Sequence, residues 1–352
     1  MTLAIFGIDS SQEHETGTRS IVTLPGVQEP LLEALAATGT KLVLVLIGGS
    51  AMAVPNCERA TMLQSCVCEL LPGDPCWSDD RWHVLRGTAG VHRADAIVLA
   101  GYGGEEAGTG LADVIFGQYN PAGRLPYTVP TGLEQLPPFE SYQMDRGSCG
   151  DAACGRTYRA TAMTLANLAF PYPRHLSLTA YWVRAGYMDK PPLFHFGSGQ
   201  SYSTFTTRKL STSASTVTTT SCSVVNVSVE VTNTGKVDGD EVTQLYIQRN
   251  GTSAEAPHLA LAAFARTHVA AGETATVVLP LRPAALAVVE PRGRQGWQLQ
   301  ACDVKLFVGG RQPSAPAPDN NPADTVQVGT LRVSGAASPL GNCPGSAANF
   351  IA

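Results

Sequence analysis

The sequence contains no hydrophobic run that could cross a membrane and no excess of basic charge. The longest apolar run, Leu42–Ile47, is far shorter than the ~20 residues that a membrane helix needs. Lys and Arg number 24 against 29 Asp and Glu, and the resulting net charge of −5 predicts no basic face for nucleic acid. A hydrophobic fraction of 44% over 352 residues argues against disorder across the whole chain and allows two folded domains.

The amino terminus lacks the basic segment and apolar core of a secretory signal peptide. Leu3–Gly7 reads instead as an apolar strand that runs directly into a loop. A chain that opens inside a core element is expected to lack an upstream part. The alternative is a genuine N-terminal strand that starts a small domain.

Nine cysteines are many for a cytosolic chain. The Cys66-Val-Cys68 spacing is not the Cys-x-x-Cys of zinc sites, and no closely spaced pair of histidines accompanies it, so we predict no metal. Short disulfide-closed loops are the preferred interpretation, and they indicate an oxidising, extracellular or secretory compartment. The pairing stays open, and an odd number leaves at least one thiol unpaired. The cysteines concerned are Cys57, Cys66, Cys68, Cys76, Cys149 and Cys154.

Residues 1–130 alternate strand and helix patterns. Val43–Ile47 and Ala94–Ala100 are continuous apolar runs that end in glycine-rich segments, which is typical of strands covered on both faces by helices. Val27–Thr38 and Glu105–Phe116 carry apolar residues at helical spacing. These patterns predict an α/β layered domain with a mainly parallel sheet.

The pattern changes to period two from Val224 onward. Four valines alternate with polar residues and predict a strand with one buried face: Val225, Val227, Val229 and Val231. Further short alternating strands separated by turn residues predict an all-β sandwich over residues 224–312. Residues 131–223 are predicted to form an ordered connector, and residues 313–352 are predicted to form a loose C-terminal tail.

A series of motifs resembles family 3 glycoside hydrolases of the β-xylosidase kind, in that family's order and at nearly its spacing. They are Gly7–Arg19 with Leu24–Gly26, Val43–Pro55, Gly101–Gly108, Ala112–Gly117, Tyr119–Pro126, Gly155–Arg159 and Phe194–Phe205. Three segments of the predicted sandwich resemble the fibronectin type III-like domain that ends many members: Val231–Gly235, Asp238–Val242 and Gln244–Tyr246.

The resemblance implies a retaining mechanism that uses two carboxylates. The family's nucleophile is an Asp on an N-terminal barrel, and nothing in this chain resembles that barrel. The acid/base Glu comes from the loop that here holds Glu13 and Glu15. We favour Glu15 as the acid/base, with Glu13 orienting it or a sugar hydroxyl, while solvated loop carboxylates are the alternative. Thr18 stands where the family usually has Asp, and His14 reads as a solvated side chain.

The predicted function is hydrolysis of β-linked xylosides or arabinosides, with the missing barrel as partner domain and without a cofactor. The isolated chain is expected to be inactive, and the alternative is a remnant that acts as a carbohydrate-binding or interaction module. The sugar preference stays open, because the barrel builds most of the sugar-binding subsite in this family. Gly101-x-Gly103 does not predict a dinucleotide site, because Glu106 occupies the third glycine's position.

Overall fold

The computed structural model describes most of the chain in nine ranges: residues 1–14, 21–54, 94–133, 160–161, 192–252, 257–289, 296–317, 321 and 323–343. The chain divides into two compact units, residues 1–119 with 128–134, and residues 120–127 with 135–352. No helix among the described residues has the length and apolar character needed to cross a membrane.

The first unit alternates strands with helices. Its elements are β1 (Thr2–Gly7), α1 (Gln28–Ala37), β2 (Leu42–Ile47), β3 (Ala96–Leu99) and α2 (Ala107–Ile115). The three strands lie in the order β1-β2-β3, and both pairings are parallel. The predicted strands at Val43–Ile47 and Ala94–Ala100 and the predicted helix at Val27–Thr38 are therefore present, with ends that differ by one or two residues.

Hydrophobic burial explains why β2 occupies the centre of this sheet. Leu42, Leu44 and Leu46 are at most 1% exposed, and Val45 on the opposite face is also fully buried. A strand that is buried on both faces must be apolar throughout, which is why its sequence shows no alternation. Leu32 of α1 is fully buried, and this helix packs against β1.

The second helix differs from its sequence-based expectation. It begins at Ala107, so Glu105 and Glu106 precede its first turn and Glu106 occupies the N-cap position. The Glu106 carboxylate accepts a hydrogen bond from the Thr109 hydroxyl at 2.8 Å and still lies at the positive end of the helix dipole. No residue of α2 is buried by the described residues, and Phe116 just beyond it is 69% exposed.

The described residues of the second unit lie mostly in strands and the turns between them. They are β4 (Ala160–Thr161), β5 (Phe205–Thr212), β6 (Thr216–Thr218), β7 (Val225–Asn233), β8 (Gly239–Asn250), β9 (Pro257–Val269), β10 (Thr274–Leu281), β11 (Val288–Val289), β12 (Trp297–Leu299), β13 (Cys302–Gly309), β14 (Gln327–Ser334) and β15 (Ser338–Pro339). Two short helical turns, α3 (Pro283–Leu286) and a 3-10 turn (Leu340–Asn342), accompany them. The sheets have the orders β10-β7-β5, β11-β12-β15 and β4-β9-β8-β13-β14-β6.

The core of this unit lies between the three-stranded β10-β7-β5 sheet and the six-stranded sheet. The four alternating valines of β7 are at most 1% exposed and pack in one hydrophobic cluster with residues such as Leu245 of β8 and Leu306 of β13. The predicted buried face of this strand is confirmed. Antiparallel pairing dominates, and only the β14–β6 contact is parallel among the strand pairs that the structure describes in this unit.

The sandwich takes in residues on both sides of the predicted range 224–312. Strands β5 and β6 lie within the predicted connector, and β14 lies within the predicted loose tail. Residues 327–343 of this tail are fixed because Leu331 and Val333 of β14 join the core and because Cys343 forms a disulfide with Cys222.

The observed disulfide closes a long segment, since its two cysteines are 121 residues apart in the sequence. This disulfide therefore differs from the expected ones, which would each close a short loop. Cys302 is the free thiol among the described cysteines, and it is buried in the core of the sandwich. The six cysteines for which short loops were predicted lie outside the described residues.

Candidate active site

The carboxyl ends of β1, β2 and β3 meet at one edge of the parallel sheet of the first unit, because all three strands run in the same direction. In open α/β sheets, ligand sites form at this edge from the loops that follow the strands. The loop after β1 carries Asp9 and Glu13, the loop after β2 carries Gly49, and the loop after β3 carries Tyr102.

Glu13 connects all three of these loops. Its backbone N–H donates to the carbonyl oxygen of Asp9 at 2.9 Å. Its carboxylate oxygen Oε2 accepts a hydrogen bond from the Gly49 backbone N–H at 2.9 Å and another from the Tyr102 hydroxyl at 2.8 Å. Glu13 is half-buried, so the structure places this predicted site residue in a defined hydrogen-bonded position at the strand ends.

Tyr102 reaches Glu13 across the surface of the unit. The residue is 58% exposed, and its hydroxyl also lies 3.4 Å from the carbonyl oxygen of Ile8. The hydrogen bond to Glu13, with smaller contributions from desolvation and from the charge of Glu13, raises the pKa of the Tyr102 phenol above its usual value of 10.0. The phenol therefore keeps its proton and remains a donor to Glu13.

Gly49 allows this contact because it has no side chain. A Cβ atom at residue 49 would lie 2.9 Å from Cε2 of Tyr102 and 3.3 Å from Oε2 of Glu13, both closer than ordinary packing. Because residue 49 has no side chain, the Tyr102 ring can lie close to the Gly49 backbone N–H, which donates a hydrogen bond to Glu13.

Asp9 shapes the turn that presents Glu13. Its Oδ1 atom accepts hydrogen bonds from the Ser11 backbone N–H at 2.8 Å and the Ser11 hydroxyl at 2.6 Å. Its own backbone N–H donates to the side-chain oxygen of Gln12 at 3.1 Å. The Ser11 hydroxyl and backbone hydrogen bonds hold the pKa of the Asp9 carboxyl below its usual value, so Asp9 is an ionised turn-forming residue.

Glu15, the preferred acid/base residue from the sequence, lies outside the described residues, as do Thr18 and Arg19. His14 is described and exposed, in agreement with its interpretation as a solvated side chain. The structure thus brings Glu13 together with Gly49 and Tyr102, and Glu15 follows only two residues after Glu13 in the same loop.

An open cleft of about 480 Å³ lies next to this cluster, at the ends of β1 and β2. Asp9 and Gln12 line it on one side, and Gly26 and Gln28 at the start of α1 line it on the other. The Gln28 side chain donates to the Gly7 carbonyl at 2.8 Å and accepts from the Gly7 N–H at 2.9 Å, which fixes this wall. Glu13 and Tyr102 do not line the cleft, so its shape does not define where a substrate would meet them.

A second group of charged residues lies in the sandwich unit and is sealed from solvent. Glu241 of β8 pairs with Arg124 at 2.9 Å, and the two side chains are only 5% and 9% exposed. Arg124 also donates through Nε to the Gly310 carbonyl at 3.3 Å. Burial raises the pKa of Glu241, an effect that the charge of Arg124 opposes.

Two further ionisable groups share this buried environment. Asp324 pairs with Arg311 at 2.9 Å, and burial raises the pKa of the Asp324 carboxyl against the opposing effect of Arg311. Burial lowers the pKa of His195 to about 4, so this imidazole is neutral at physiological pH. A sealed group cannot reach a substrate, so these residues form part of the scaffold. Among the described residues, no group of three or more His, Cys, Asp or Glu is arranged to hold a metal ion.

Sequence reasoning assigned no role to Gly49, Tyr102 or Arg124, although each lies within one of the motifs named above. Tyr102 could have been considered, because it lies in the loop after a predicted strand, as Glu13 lies in the loop after β1. The partner of Arg124 is 117 residues away, and no local pattern indicates such a pair.

Comparison with known families identifies two regions of the chain. Residues 85–202 match the glycosyl hydrolase family 3 C-terminal domain, and residues 241–312 match the fibronectin type III-like domain. The second match lies within the sandwich unit, and the first covers Tyr102 and the segment that contains α2.

Curated relatives match most of this chain. The chain is 30% identical over 281 residues to a periplasmic beta-glucosidase of Salmonella typhimurium, which covers 80% of this chain and 29% of that protein. It is 34% identical over 266 residues to a xylan 1,4-beta-xylosidase of Xylanibacter ruminicola, which covers 75% of this chain and 22% of that protein. The chain therefore spans less than a third of the length of either relative.

The fold also matches solved structures. A beta-glucosidase involved in saponin metabolism from intestinal bacteria superimposes with a TM-score of 0.63 at 25% identity, over 94% of this chain and 36% of that protein. The match extends over both units of the chain and again corresponds to about a third of the larger protein.

Proposed function

Because the chain belongs to glycoside hydrolase family 3, we propose that it forms the acid/base side of a retaining β-glycosidase active site. The observation that carries this proposal is the assembly of Glu13, Gly49 and Tyr102 at the carboxyl edge of the parallel sheet. Glu15 follows Glu13 by two residues in the sequence, and α/β domains present catalytic residues from the loops at this edge. The proposal includes a mainly parallel sheet for the rest of this domain.

The proposed reaction proceeds in two steps. An Asp on a separate barrel domain attacks the anomeric carbon, while Glu15 donates its proton to the glycosidic oxygen and releases the leaving group. Glu15, now ionised, then removes a proton from the water that cleaves the glycosyl-enzyme bond. Retaining enzymes place the two carboxyl groups ~5–5.5 Å apart, which requires a barrel docked over the Glu15 loop.

We propose β-linked xylosides or arabinosides of plant-type polysaccharides as substrates. The motif resemblance supports pentosides, and one relative is named a xylan 1,4-beta-xylosidase. Another relative is named a beta-glucosidase, so glucosides are the alternative to be tested in the same assay. The disulfide between Cys222 and Cys343 supports an extracellular or secretory location, because such bonds persist in oxidising compartments.

The test is hydrolysis of nitrophenyl β-xyloside and nitrophenyl β-glucoside by the chain alone and by the chain joined to a family 3 barrel. We expect turnover only with the barrel. Glu15→Gln should then reduce kcat by ~10²–10⁴-fold on a substrate with a poor leaving group, because general acid–base catalysis contributes about that much. Unchanged fluorescence and thermal unfolding would show that this variant is folded.

Two results would contradict the proposal. Full activity of Glu15→Gln would exclude this residue as the acid/base. Binding of xylan without turnover, even with the barrel present, would favour the remnant that acts as a carbohydrate-binding module.

A further inference from the structure

We propose that Asn250 is a site of N-linked glycosylation, and that the fold favours it over Asn226. The sequence contains two tripeptides of the form Asn-x-Ser/Thr in which the middle residue is not Pro, and these are Asn250-Gly-Thr252 and Asn226-Val-Ser228. The inference goes beyond the catalytic role proposed above. It rests on one part of that proposal, the passage of the chain through the secretory pathway.

Asn250 lies at the end of a strand, where it is exposed to solvent. It is the last residue of β8, and its described strand partner is Asp303 of β13. On the other side, the described pairing of β8 with β9 ends at Ile247. A glycan is bulky and hydrated, so its acceptor must lie at the surface of the folded protein. Asn250 meets this requirement.

The residue after Asn250 keeps the tripeptide accessible. Gly251 has a φ of 91°, which glycine adopts without strain, so the backbone bends directly after the acceptor. Gly251 is itself exposed, and a Cβ atom at this residue would meet no other atom within 4 Å. Exposed turns of this kind are where other enzymes, such as proteases, reach a folded chain. A transferase can therefore reach Asn250 before and after the sandwich has folded.

Asn226 is also exposed, but its backbone is held inside a sheet. It lies in β7, the central strand of the β10-β7-β5 sheet, opposite Pro280 of β10. Its N–H donates to the Ser213 hydroxyl at 3.0 Å, and its carbonyl oxygen accepts from the Ser213 N–H at 2.9 Å. A transferase that must bind the backbone of the tripeptide can take Asn226 only before its neighbours are in place. We therefore expect a lower glycan occupancy at Asn226 than at Asn250.

The modification is a group transfer whose second substrate is an oligosaccharide linked through its anomeric carbon to a polyisoprenyl diphosphate. The side-chain nitrogen of Asn250 forms a bond to that anomeric carbon, and the bond between this carbon and the diphosphate oxygen breaks. The nitrogen loses one proton, and the polyisoprenyl diphosphate leaves with the bonding electron pair. No group is oxidised or reduced.

The test is expression of the full chain behind an added signal peptide in a eukaryotic secretory host. Peptide N-glycosidase converts a glycosylated Asn to Asp, and heavy-oxygen water labels only the residues that the enzyme has converted. Spontaneous deamidation of Asn250-Gly251 before the treatment is thereby excluded. Mass spectrometry of tryptic peptides measures each site separately, because Lys236 and Arg249 lie between the two Asn residues.

We expect labelled Asp at position 250 in the chain that carries the signal peptide, with less label at position 226. The same chain without a signal peptide should carry no label at either position, because it never meets the transferase. The added signal makes the result independent of where the native protein resides. A failure of the site is therefore distinguishable from a failure of the proposed location.

Two substitutions at residue 252 test the acceptor tripeptide without changing Asn250. Thr252→Val keeps the branched shape and removes the hydroxyl group, so the glycan at Asn250 should be lost. Thr252→Ser keeps a hydroxyl group and should retain the glycan. Asn226→Gln is the control, and it should leave the occupancy of Asn250 unchanged.

Three outcomes would overturn the inference. The first is the absence of labelled Asp at position 250 in the chain with the signal peptide. The second is an occupancy of Asn226 that equals or exceeds that of Asn250, which would show that the fold does not select between the two tripeptides. The third is retention of the glycan in Thr252→Val, because the modification would then not depend on the acceptor hydroxyl.

Discussion

Glu13 and Glu241 are two carboxylates of the same chain in opposite surroundings. Glu13 lies half-buried at a sheet edge in the first unit, and its carboxylate accepts hydrogen bonds from a backbone N–H and a tyrosine hydroxyl. Glu241 lies in the sandwich unit with its side chain 5% exposed and pairs with a guanidinium group. Glu13 accepts these hydrogen bonds near solvent, and Glu241 is paired with a cation inside the protein.

The difference separates a residue of the proposed catalytic loop from a residue that holds the fold. A carboxyl group that takes part in proton transfer must meet solvent or substrate, and Glu13 is only half-buried. A buried carboxylate whose charge is matched by Arg124 has no such path, and removal of its partner leaves an uncompensated charge in the interior. We therefore expect substitutions near Glu13 to change activity or local titration, and substitutions near Glu241 to change stability.

Arg124→Met should produce the largest loss of stability. It leaves Glu241 buried without its cation, and breaking such a pair typically costs about 3–5 kcal/mol of unfolding free energy. Urea denaturation of the wild type and the variant at pH 7 measures this loss. Lys209→Met is the matched control, because Lys209 pairs with Glu230 at the same distance of 2.9 Å but is 73% exposed. It should cost no more than about 1 kcal/mol.

The double variant Arg124→Met with Glu241→Leu sharpens this test. With both charges removed, much of the lost stability should return, because a buried ion pair is often no better than packed apolar groups. A cost of less than about 1 kcal/mol for Arg124→Met alone would show that the pair is not sealed, and the contrast between the two regions would fail.

The pH dependence of stability should report His195. Burial, with a smaller contribution from Arg311 and against a hydrogen bond with Gln312, lowers the pKa of His195 from 6.5 to about 4. At pH values between these two pKa values, His195 is protonated in the unfolded chain and neutral in the folded protein. The contribution is therefore fully present above pH 6.5 and is lost as the pH falls to about 4, with a total on the order of 3 kcal/mol.

Urea denaturation of the wild type and of His195→Asn, at several pH values between about 7.5 and 4, measures this loss. The range includes the pKa of His195 in the unfolded chain and in the folded protein. The variant should show a flatter decline in acid. His14→Asn removes an exposed ring of the first unit and serves as control. The difference between wild type and variant isolates His195 from Glu241 and Asp324, whose raised pKa values act with the opposite sign. Parallel curves would place His195 in contact with solvent.

Local sequence patterns predicted the elements that have a simple burial pattern. The continuous apolar run of β2 and the alternating valines of β7 each follow from the faces that these strands bury. Strand β5 was missed because its sequence is rich in Ser and Thr, and two of its buried residues, Thr206 and Thr207, are polar. A register shift between Arg208 and Ser211 interrupts its alternation further.

The candidate site was predictable only in part, because some of its contacts join residues that are far apart in the sequence. Glu13 could be placed because it follows an apolar strand and lies in a recognisable motif. Tyr102 and Gly49 act through contacts with a residue 89 and 36 positions away, respectively, and such contacts depend on strand order in the sheet. The roles of Glu13 and Glu15 remain predictions, since Glu15 lies outside the described residues.

Gly49→Ala is expected to have the smallest effect on stability. It tests whether the side chains around Glu13 can move to accommodate a new Cβ atom. The new Cβ atom would lie 2.9 Å from the Tyr102 ring, so the ring must move. It can do so because Tyr102 is largely exposed, and the cost should stay within about 1 kcal/mol. Loss of the hydrogen bond to Glu13 should lower the pKa of the phenol toward its ordinary value, which tyrosine NMR measures.

Gly104→Ala is the matched control for this change. It lies in the same loop as Tyr102, and a Cβ atom there meets nothing within 4 Å. It should leave both stability and the Tyr102 titration unaltered. If Gly49→Ala instead destabilised the protein as strongly as Arg124→Met, the sheet edge around Glu13 would be as rigidly packed as the interior around Glu241. Accessibility would then no longer distinguish the two carboxylates, and the proton-transfer role of the loop would lose its physical basis.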